Sequence, residues 1–223
     1  MRLAVTGPVW DTGDLSRIRA DPLISTFDKS DYLVILGDCG VTAPRRPFLE
    51  VVDDFRRLPC TVLFLDGERD DYDLLGDHPA YLWNGGLAQT ITRGVMRLCR
   101  GQVFMICGMK ILTLGGKTTV GRTDEGKYWD WWPGQDPAPR DVDEAVTNLG
   151  EWGGTADAIL TADCPSSWRQ ALGLGGATPS SDILEELRTR VWYKHWYFGG
   201  SRETREVPDA DATSVGTSVI RLA

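Results

Sequence analysis

A charged cluster follows one of the most apolar runs in the sequence. The run Thr61–Leu65 leads into Leu65–Asp70, which reads Leu-Asp-Gly-Glu-Arg-Asp. The carboxylate of Glu68 could ligate a hard cation. The guanidinium of Arg69 stays protonated, cannot bind a metal, and matches the geometry of a phosphate with two parallel hydrogen bonds. We therefore expect a loop that leaves a buried strand, with Arg69 deciding its chemistry.

Apolar runs alternate with helical patterns in the first third of the chain. Strands are predicted at Leu3–Thr6, Tyr32–Leu36 and Thr61–Leu65, and helices near Asp14–Ala20 and over Phe48–Leu58. Nearly continuous apolar strands that are each followed by a helix indicate a parallel sheet buried on both faces. The loops at the carboxyl edge of such a sheet are where ligands usually bind.

The later part of the chain favours an antiparallel or mixed arrangement. Gln102–Cys107 and Lys110–Leu114 predict a hairpin around Gly108. Since 223 residues can bury a full core but leave little room for two domains, we predict one domain over residues 1–223. The further predicted elements are strands at Ala158–Thr161 and Trp196–Phe198, and helices at Asp141–Leu149 and Asp182–Val191, the second capped by Ser180, Ser181 or Asp182.

Composition narrows the classes of partner. A net charge of -8 and a pI of about 4.8 disfavour long nucleic acids, which are bound through many lysines and arginines, but allow a small anion in a local basic pocket. The five cysteines are odd in number and lack C-x-x-C spacing, so neither a disulfide framework nor a zinc site is indicated. No run reaches membrane-spanning length, and we expect a cytoplasmic protein without a membrane partner.

The order of the strand-end loops resembles the calcineurin-like metallophosphoesterases over nearly the whole chain. Leu3–Gly7 is similar to the strand that leads to that family's Gly-Asp-x-His, Tyr32–Gly40 to its Gly-Asp loop, and Phe64–Leu75 to the strand before Gly-Asn-His-Glu. Five later segments resemble, in the same order, features of a small bacterial and phage branch of that family. They are Trp83–Gly86, Arg100–Phe104, Gly115-Gly116, Ile159–Ser167 and Trp196–Arg202. The resemblance implies an α/β fold with two mixed β-sheets packed as a sandwich and flanked by helices.

The resemblance also implies that the family's metal site is degenerate here. That family binds two divalent metals through Asp, Asn and His, and of those ligands only Asp38 is retained. The chain's two histidines, His78 in a loop and His195 before the strand Trp196–Phe198, match none of the ligand positions. The changed positions hold, in chain order, Pro8, Trp10, Glu68, Arg69, Ala162 and, for the closing Gly-His-x-His, Gly199–Arg202. We therefore expect a pseudoenzyme with no catalytic residue, metal or cofactor.

Some of these changes restore the positive charge that the metals would have supplied. Arg69 and Arg202 occupy two vacated positions, Lys117 adds a third cation, and Trp10 could stack a base. We expect binding without hydrolysis of a small phosphate ligand, such as a nucleotide or cyclic-nucleotide signal. Sequestration of this kind is what a sponge, as used by viruses against nucleotide-based host defences, requires. The expected ligand-binding residues are Trp10, Asp38, Glu68, Arg69, Lys117 and Arg202.

Other interpretations stay open at this point. The emptied cavity could be inert, with Arg69 paired to Asp38, Arg202 paired to Glu68 and Trp10 filling volume. The tryptophan-rich segment Tyr128–Pro139 could cover the core or contact another protein or a second copy of the chain, which leaves homo-oligomerisation open. Weak residual phosphodiesterase activity is a further alternative. The pair Asp163-Cys164 lacks a matching histidine base, so an ordinary buried thiol is expected there.

Overall fold

The structure is a computed structural model that describes residues 1–41, 48–123 and 131–223, with the backbone alone for residues 48–51. Its strands are β1 (Leu3–Thr6), β2 (Tyr32–Ile35), β3 (Thr61–Phe64), β4 (Ala80–Trp83), β5 (Gly86–Thr92), β6 (Val95–Leu98), β7 (Gln102–Ile106), β8 (Met109–Leu114), β9 (Thr155–Thr161), β10 (Trp192–Phe198), β11 (Arg205–Glu206), β12 (Ala212–Ser214) and β13 (Val219–Arg221). Its α-helices are α1 (Thr12–Ala20), α2 (Phe48–Arg56), α3 (Tyr72–Gly76), α4 (Pro139–Glu151), α5 (Ser166–Ala171) and α6 (Pro179–Arg190).

These elements form an α/β structure with two mixed sheets. The seven-stranded sheet has the order β13-β1-β2-β3-β6-β5-β4, and the six-stranded sheet has the order β11-β12-β10-β9-β8-β7. Strands β1, β2, β3 and β6 are mutually parallel, as are β8, β9, β10 and β12, and antiparallel strands complete both sheets. The predicted parallel run β1–β3 and the predicted β7–β8 hairpin are both confirmed.

Three apolar clusters explain why the inner strands are so uniformly hydrophobic. One cluster joins Val5 and Leu63 of the first sheet to Phe104 and Leu160 of the second, so the two sheets pack face to face. A second cluster packs the opposite face of the first sheet against α1 and α2. The third packs the opposite face of the second sheet against α4, α5 and α6. Each inner strand is therefore buried on both faces, which is the condition under which alternation of polar and apolar residues disappears.

Several predicted boundaries were wrong, and local contacts explain the differences. His195 lies inside β10 rather than before it, because pairing with β9 begins at Trp192. Helix α6 begins at Pro179, with Thr178 as its N-cap, because the Thr178 hydroxyl accepts the backbone N–H of Ser181. Strands β4, β5 and β6 were not predicted; β5 pairs antiparallel with both β4 and β6, and β6 pairs parallel with β3. None of the described helices has the length and apolar character needed to cross a bilayer.

The described part of the tryptophan-rich segment holds one buried and one partly exposed tryptophan. Residues 128–130 of that segment lie outside the described residues. Trp132 is buried. The indole N–H of Trp131 donates to the carbonyl of Thr123 at 2.7 Å, and the guanidinium of Arg122 lies 5.1 Å from the same ring. The burial of Trp132 favours the core-cover interpretation, whereas the contacts of Trp131 lie at the surface.

Packing between the sheets makes a prediction for β7. Phe104 is fully buried in the cluster between the sheets, whereas its neighbour Met105 is partly exposed. We expect Phe104→Ala to lower the free energy of unfolding by about 3–5 kcal/mol, because it opens a cavity that the neighbours fill only in part. Urea denaturation would measure the change, with Met105→Ala as the control on the same strand. Equal losses in the two variants would contradict the packing described here.

Candidate functional site

The carboxyl ends of the parallel strands in both sheets meet at one edge of the molecule. The backbone N–H of Gly116, after β8, donates to the carbonyl of Asp66, after β3, at 2.7 Å. A side chain at Gly37, after β2, would lie 3.1 Å from the Cβ of Ala162, after β9. These contacts cross from one sheet to the other, so the loops after the two sets of parallel strands form a single surface.

Close backbone approaches fix how these loops cross. A Cβ at Gly67 would overlap the backbone N and the carboxylate of Asp38, and one at Gly199 would overlap the carbonyl of Leu36. Only glycine leaves room for such approaches. The loop after β3 therefore contacts the loop after β2, and the loop after β10 contacts the end of β2.

Asp38, in the loop after β2, links the loop after β1 to the loop after β3. Its Oδ2 accepts the indole N–H of Trp10 at 3.1 Å, and its Oδ1 accepts the backbone N–H of Arg69 at 2.8 Å. Its backbone carbonyl also accepts the N–H of Val9 at 2.8 Å. Asp38 is buried. Both carboxylate oxygens hold N–H donors, so this residue orients Trp10 and Arg69.

The guanidinium of Arg69 pairs with Glu68 rather than with Asp38. Its Nε lies 3.9 Å from Oε1 of Glu68, and its side chain is 62% exposed. The inert-cavity interpretation expected the Arg69 side chain to pair with Asp38. In the structure the backbone N–H makes that contact, which leaves the guanidinium at the surface.

Glu68 lies between two cations. Its other oxygen, Oε2, is 3.7 Å from Nζ of Lys117, and the side chains of Glu68 and Lys117 are 18% and 15% exposed. Burial raises the pKa of Glu68, and Lys117 and Arg69 oppose that rise. Asp38 and Asp163 act in the same direction as burial. The carboxylate is therefore a poorly solvated charge held among charges of both signs.

Arg202 completes the group by lying on Trp10. Its guanidinium carbon is 4.7 Å from the centre of the indole ring, within the range of a cation–π contact. The inert-cavity interpretation expected Arg202 to pair with Glu68, and the structure has it on the indole instead. Contacts thus connect all six predicted residues in one chain that runs from Arg202 through Trp10, Asp38, Arg69 and Glu68 to Lys117.

A buried ion-pair network beneath the site was not anticipated from the sequence. Asp66 is fully buried and accepts from Arg97 Nε at 2.9 Å, from Arg100 Nη2 at 2.6 Å and from the hydroxyl of Tyr72 at 2.9 Å. Burial works to raise the pKa of Asp66, but Arg100 and Arg97 outweigh it and hold the pKa well below the usual range. Arg97 lies in the short strand β6 between Met96 and Leu98, and a lone arginine there looks like a surface residue in sequence.

Asp163 and Cys164 have structural contacts. Asp163 Oδ1 accepts from Nη1 of Arg169 at 3.0 Å, and its Oδ2 accepts from the hydroxyl of Ser180 at 2.8 Å. Burial, followed by the charge of Asp163, raises the pKa of the buried Cys164 thiol. A thiol held in its protonated form is a weak nucleophile, which agrees with the ordinary buried cysteine expected here.

The donor set does not fit a pair of divalent metals. Asp38 uses both oxygens on N–H donors, Glu68 faces Lys117 and Arg69, and the Arg69 guanidinium cannot coordinate. Within residues 1–41, 48–123 and 131–223, no three or more His, Cys, Asp or Glu side chains are grouped to hold an ion. One histidine, His195, shares a hydrogen bond with Thr213 on the neighbouring strand β12.

Comparison with known proteins finds no family model that matches the chain and no matching curated protein.

The buried network predicts a specific acid sensitivity. Because the pKa of Asp66 is lowered by folding, its stabilisation is present above the ordinary aspartate pKa of about 4 and is lost as the pH falls toward the folded-state pKa. We expect Asp66→Asn to lower the free energy of unfolding at pH 7 by about 3–5 kcal/mol, because it leaves Arg97 and Arg100 buried without their carboxylate.

Urea denaturation between pH 7 and pH 3 would measure both effects. Asp66→Asn should also flatten the acid-side decline of stability, whereas the control Asp53→Asn, on the exposed face of α2, should keep the decline of the unmodified protein. An Asp66→Asn variant as stable as the control at pH 7 would show that the network is not needed.

Proposed function

We propose that the chain is a catalytically inactive member of the calcineurin-like metallophosphoesterase family that binds a small phosphate ligand, such as a nucleotide or cyclic-nucleotide signal, without hydrolysing it. Its role would be to sequester or sense that ligand. The observation that carries the proposal is the continuous chain of contacts from Arg202 to Lys117, which gathers three cations and an indole ring at one surface.

Two features support the family assignment. The two mixed sheets, with helices on their outer faces, are compatible with the fold that the resemblance implies. The loops that were matched to the family by their order along the chain also meet in space, since the loops after β2, β3, β8, β9 and β10 are in contact. Residues matched to separate motifs are therefore neighbours, as a shared site requires.

The chemistry at this surface favours binding over hydrolysis. Metal-assisted hydrolysis needs ligands that hold the ions and lower the pKa of a bound water. Here the retained carboxylate of Asp38 is occupied by Trp10 and by the backbone of Arg69. A covalent route through Cys164 is disfavoured because burial keeps the thiol protonated. Neither route leaves a group poised to attack phosphorus.

The cations favour a ligand site over an inert cavity. Arginines that only refilled the space left by metals would be expected to pair with the carboxylates around them. In the part of the chain that the structure describes, Arg202 has no carboxylate within ion-pair distance and lies on Trp10. The Arg69 side chain is 62% exposed, and its Nε lies 3.9 Å from Oε1 of Glu68. Both guanidinium groups can therefore donate hydrogen bonds to an incoming phosphate.

Trp10 gives the proposed site a second contact for a nucleotide. Its N–H is held by Asp38, so the plane of the ring is fixed before any ligand arrives. A fixed aromatic ring can stack a nucleobase for about 1–3 kcal/mol with little preference among bases. The guanidinium of Arg202 on the same ring would lie close to both the base and its phosphate.

Arginine substitutions test the binding proposal. We expect Arg69→Ala and Arg202→Ala each to weaken binding of the tightest ligand in a panel of mono-, di- and cyclic nucleotides by about tenfold or more, because each removes a charged donor. Isothermal titration calorimetry would measure the affinities. Arg140→Ala, which removes an exposed guanidinium at the start of α4, is the matched control. No saturable binding of any nucleotide, or unchanged affinity in both test variants, would refute the proposal.

Absence of turnover is a separate prediction. With manganese added, the protein should release no product from bis(p-nitrophenyl) phosphate above the rate of buffer, because the site offers no set of free metal ligands. Product release would be followed by absorbance at several protein concentrations. A rate that rises in proportion to protein, and that chelator abolishes, would favour the residual phosphodiesterase instead.

A further inference from the structure

Of the two carboxylates in the site, Glu68 has the less quenched charge. Asp38 has an N–H donor on each carboxylate oxygen, whereas Glu68 faces its cations at 3.7 and 3.9 Å, beyond hydrogen-bond distance. No hydrogen-bond donor to the Glu68 carboxylate is found among the described residues. A charge that is poorly solvated and loosely paired acts strongly on whatever binds beside it.

From this we infer that Glu68 sets the charge class of the ligand and biases the site toward monoanionic phosphodiesters, such as cyclic nucleotides, over dianionic phosphate monoesters. The inference rests on the proposed function. Three cations, Arg69, Lys117 and Arg202, face two carboxylates, Asp38 and Glu68, so the group carries one net positive charge. A phosphodiester brings one negative charge and neutralises it.

A monoester brings a second negative charge that the site does not match. Repulsion between a fixed carboxylate and a ligand scales with the charge of the ligand, so Glu68 opposes a dianion about twice as strongly as a monoanion. The nearby Asp163 adds to the repulsion of a dianion, but it is paired with Arg169 at 3.0 Å, which offsets most of its charge. Glu68 is therefore a specificity-determining residue in a site whose other groups attract any phosphate.

The preference has a use for a protein that sequesters a signal. Nucleoside monophosphates are largely dianionic at neutral pH, because the second pKa of a phosphate monoester is near 6. A site with cations alone would bind these ions most strongly. The carboxylate of Glu68, 3.7 Å from Lys117, lowers that advantage and keeps the site available to the diester.

Calorimetry at pH 8 with adenosine 3′,5′-cyclic monophosphate and adenosine 5′-monophosphate would test this inference, because the two probes share a base and differ in phosphate charge. We expect the unmodified protein to bind the cyclic diester at least as tightly as the monoester. Glu68→Gln keeps the shape of the side chain and removes its charge. We expect it to shift the ratio of the two affinities toward the monoester by about tenfold.

One further variant in the site and one control outside it test whether the shift in the affinity ratio follows the sign and the position of the charge removed. Lys117→Gln should shift the ratio the opposite way, toward the cyclic diester, because it removes a cation, whereas loss of folding alone would weaken both probes together. Glu186→Gln on α6 removes a carboxylate outside the site and should leave the ratio unchanged.

The outcomes separate the two proposals. A ratio that Glu68→Gln leaves unchanged, or one that Glu68→Gln and Lys117→Gln shift in the same direction, would overturn the inference while leaving phosphate binding intact. Binding of neither probe to the unmodified protein or to Glu68→Gln would overturn the inference. Lack of binding across the whole nucleotide panel would remove the proposed function with it.

Discussion

The buried carboxylate of Asp66 is the interaction on which the arrangement of the site depends. It lies at the end of β3 with no contact with water, and Arg97, Arg100 and Tyr72 all donate to it. Arg100 also donates to the carbonyls of residues 134, 135 and 136, which holds the described part of the tryptophan-rich segment against the same point. One desolvated charge thus ties together strands β3 and β6, helix α3 and a long loop.

The surface above Asp66 divides its polar groups into two kinds. Asp38 and Asp163 have every carboxylate oxygen occupied by donors and serve to hold loops in place. Within the described residues, the side chains of Arg69, Lys117, Arg202 and Glu68 make long ion pairs or a ring contact. The carboxylates that hold the loops are thus fully hydrogen-bonded, whereas the cations are only loosely paired. An unpaired cation costs least free energy where water or a ligand can reach it, so this arrangement leaves the cations available to a ligand.

The sequence predicted elements correctly where a residue pattern has a single structural explanation. Continuous apolar runs predicted β1, β2 and β3 because strands buried on both faces have no polar side, and the glycine between two β runs predicted the β7–β8 hairpin. Prediction failed for β4 to β6, which carry exposed and buried residues in no simple alternation.

In the candidate site, too, some features could be predicted from the sequence and others could not. The six residues could be gathered from loop order, because parallel strands bring their carboxyl ends to one edge. Their partners could not be predicted, since pairing depends on side-chain direction. Sequence reasoning suggested ion pairs of Arg69 with Asp38 and of Arg202 with Glu68, and the structure has a backbone N–H on Asp38 and an indole under Arg202. The network of Asp66 escaped notice for the same reason.

The glycines at the loop crossings separate the frame of this surface from its chemistry. Gly67 and Gly199 cannot gain a side chain without pushing two loops apart, whereas Glu68 and Arg69 beside them, and Arg202 three residues after Gly199, can change without moving the backbone. Mutation can therefore replace the groups that contact a ligand one at a time while the crossing stays intact. The side-chain chemistry of this surface can change in small steps, whereas the crossing glycines tolerate no added side chain.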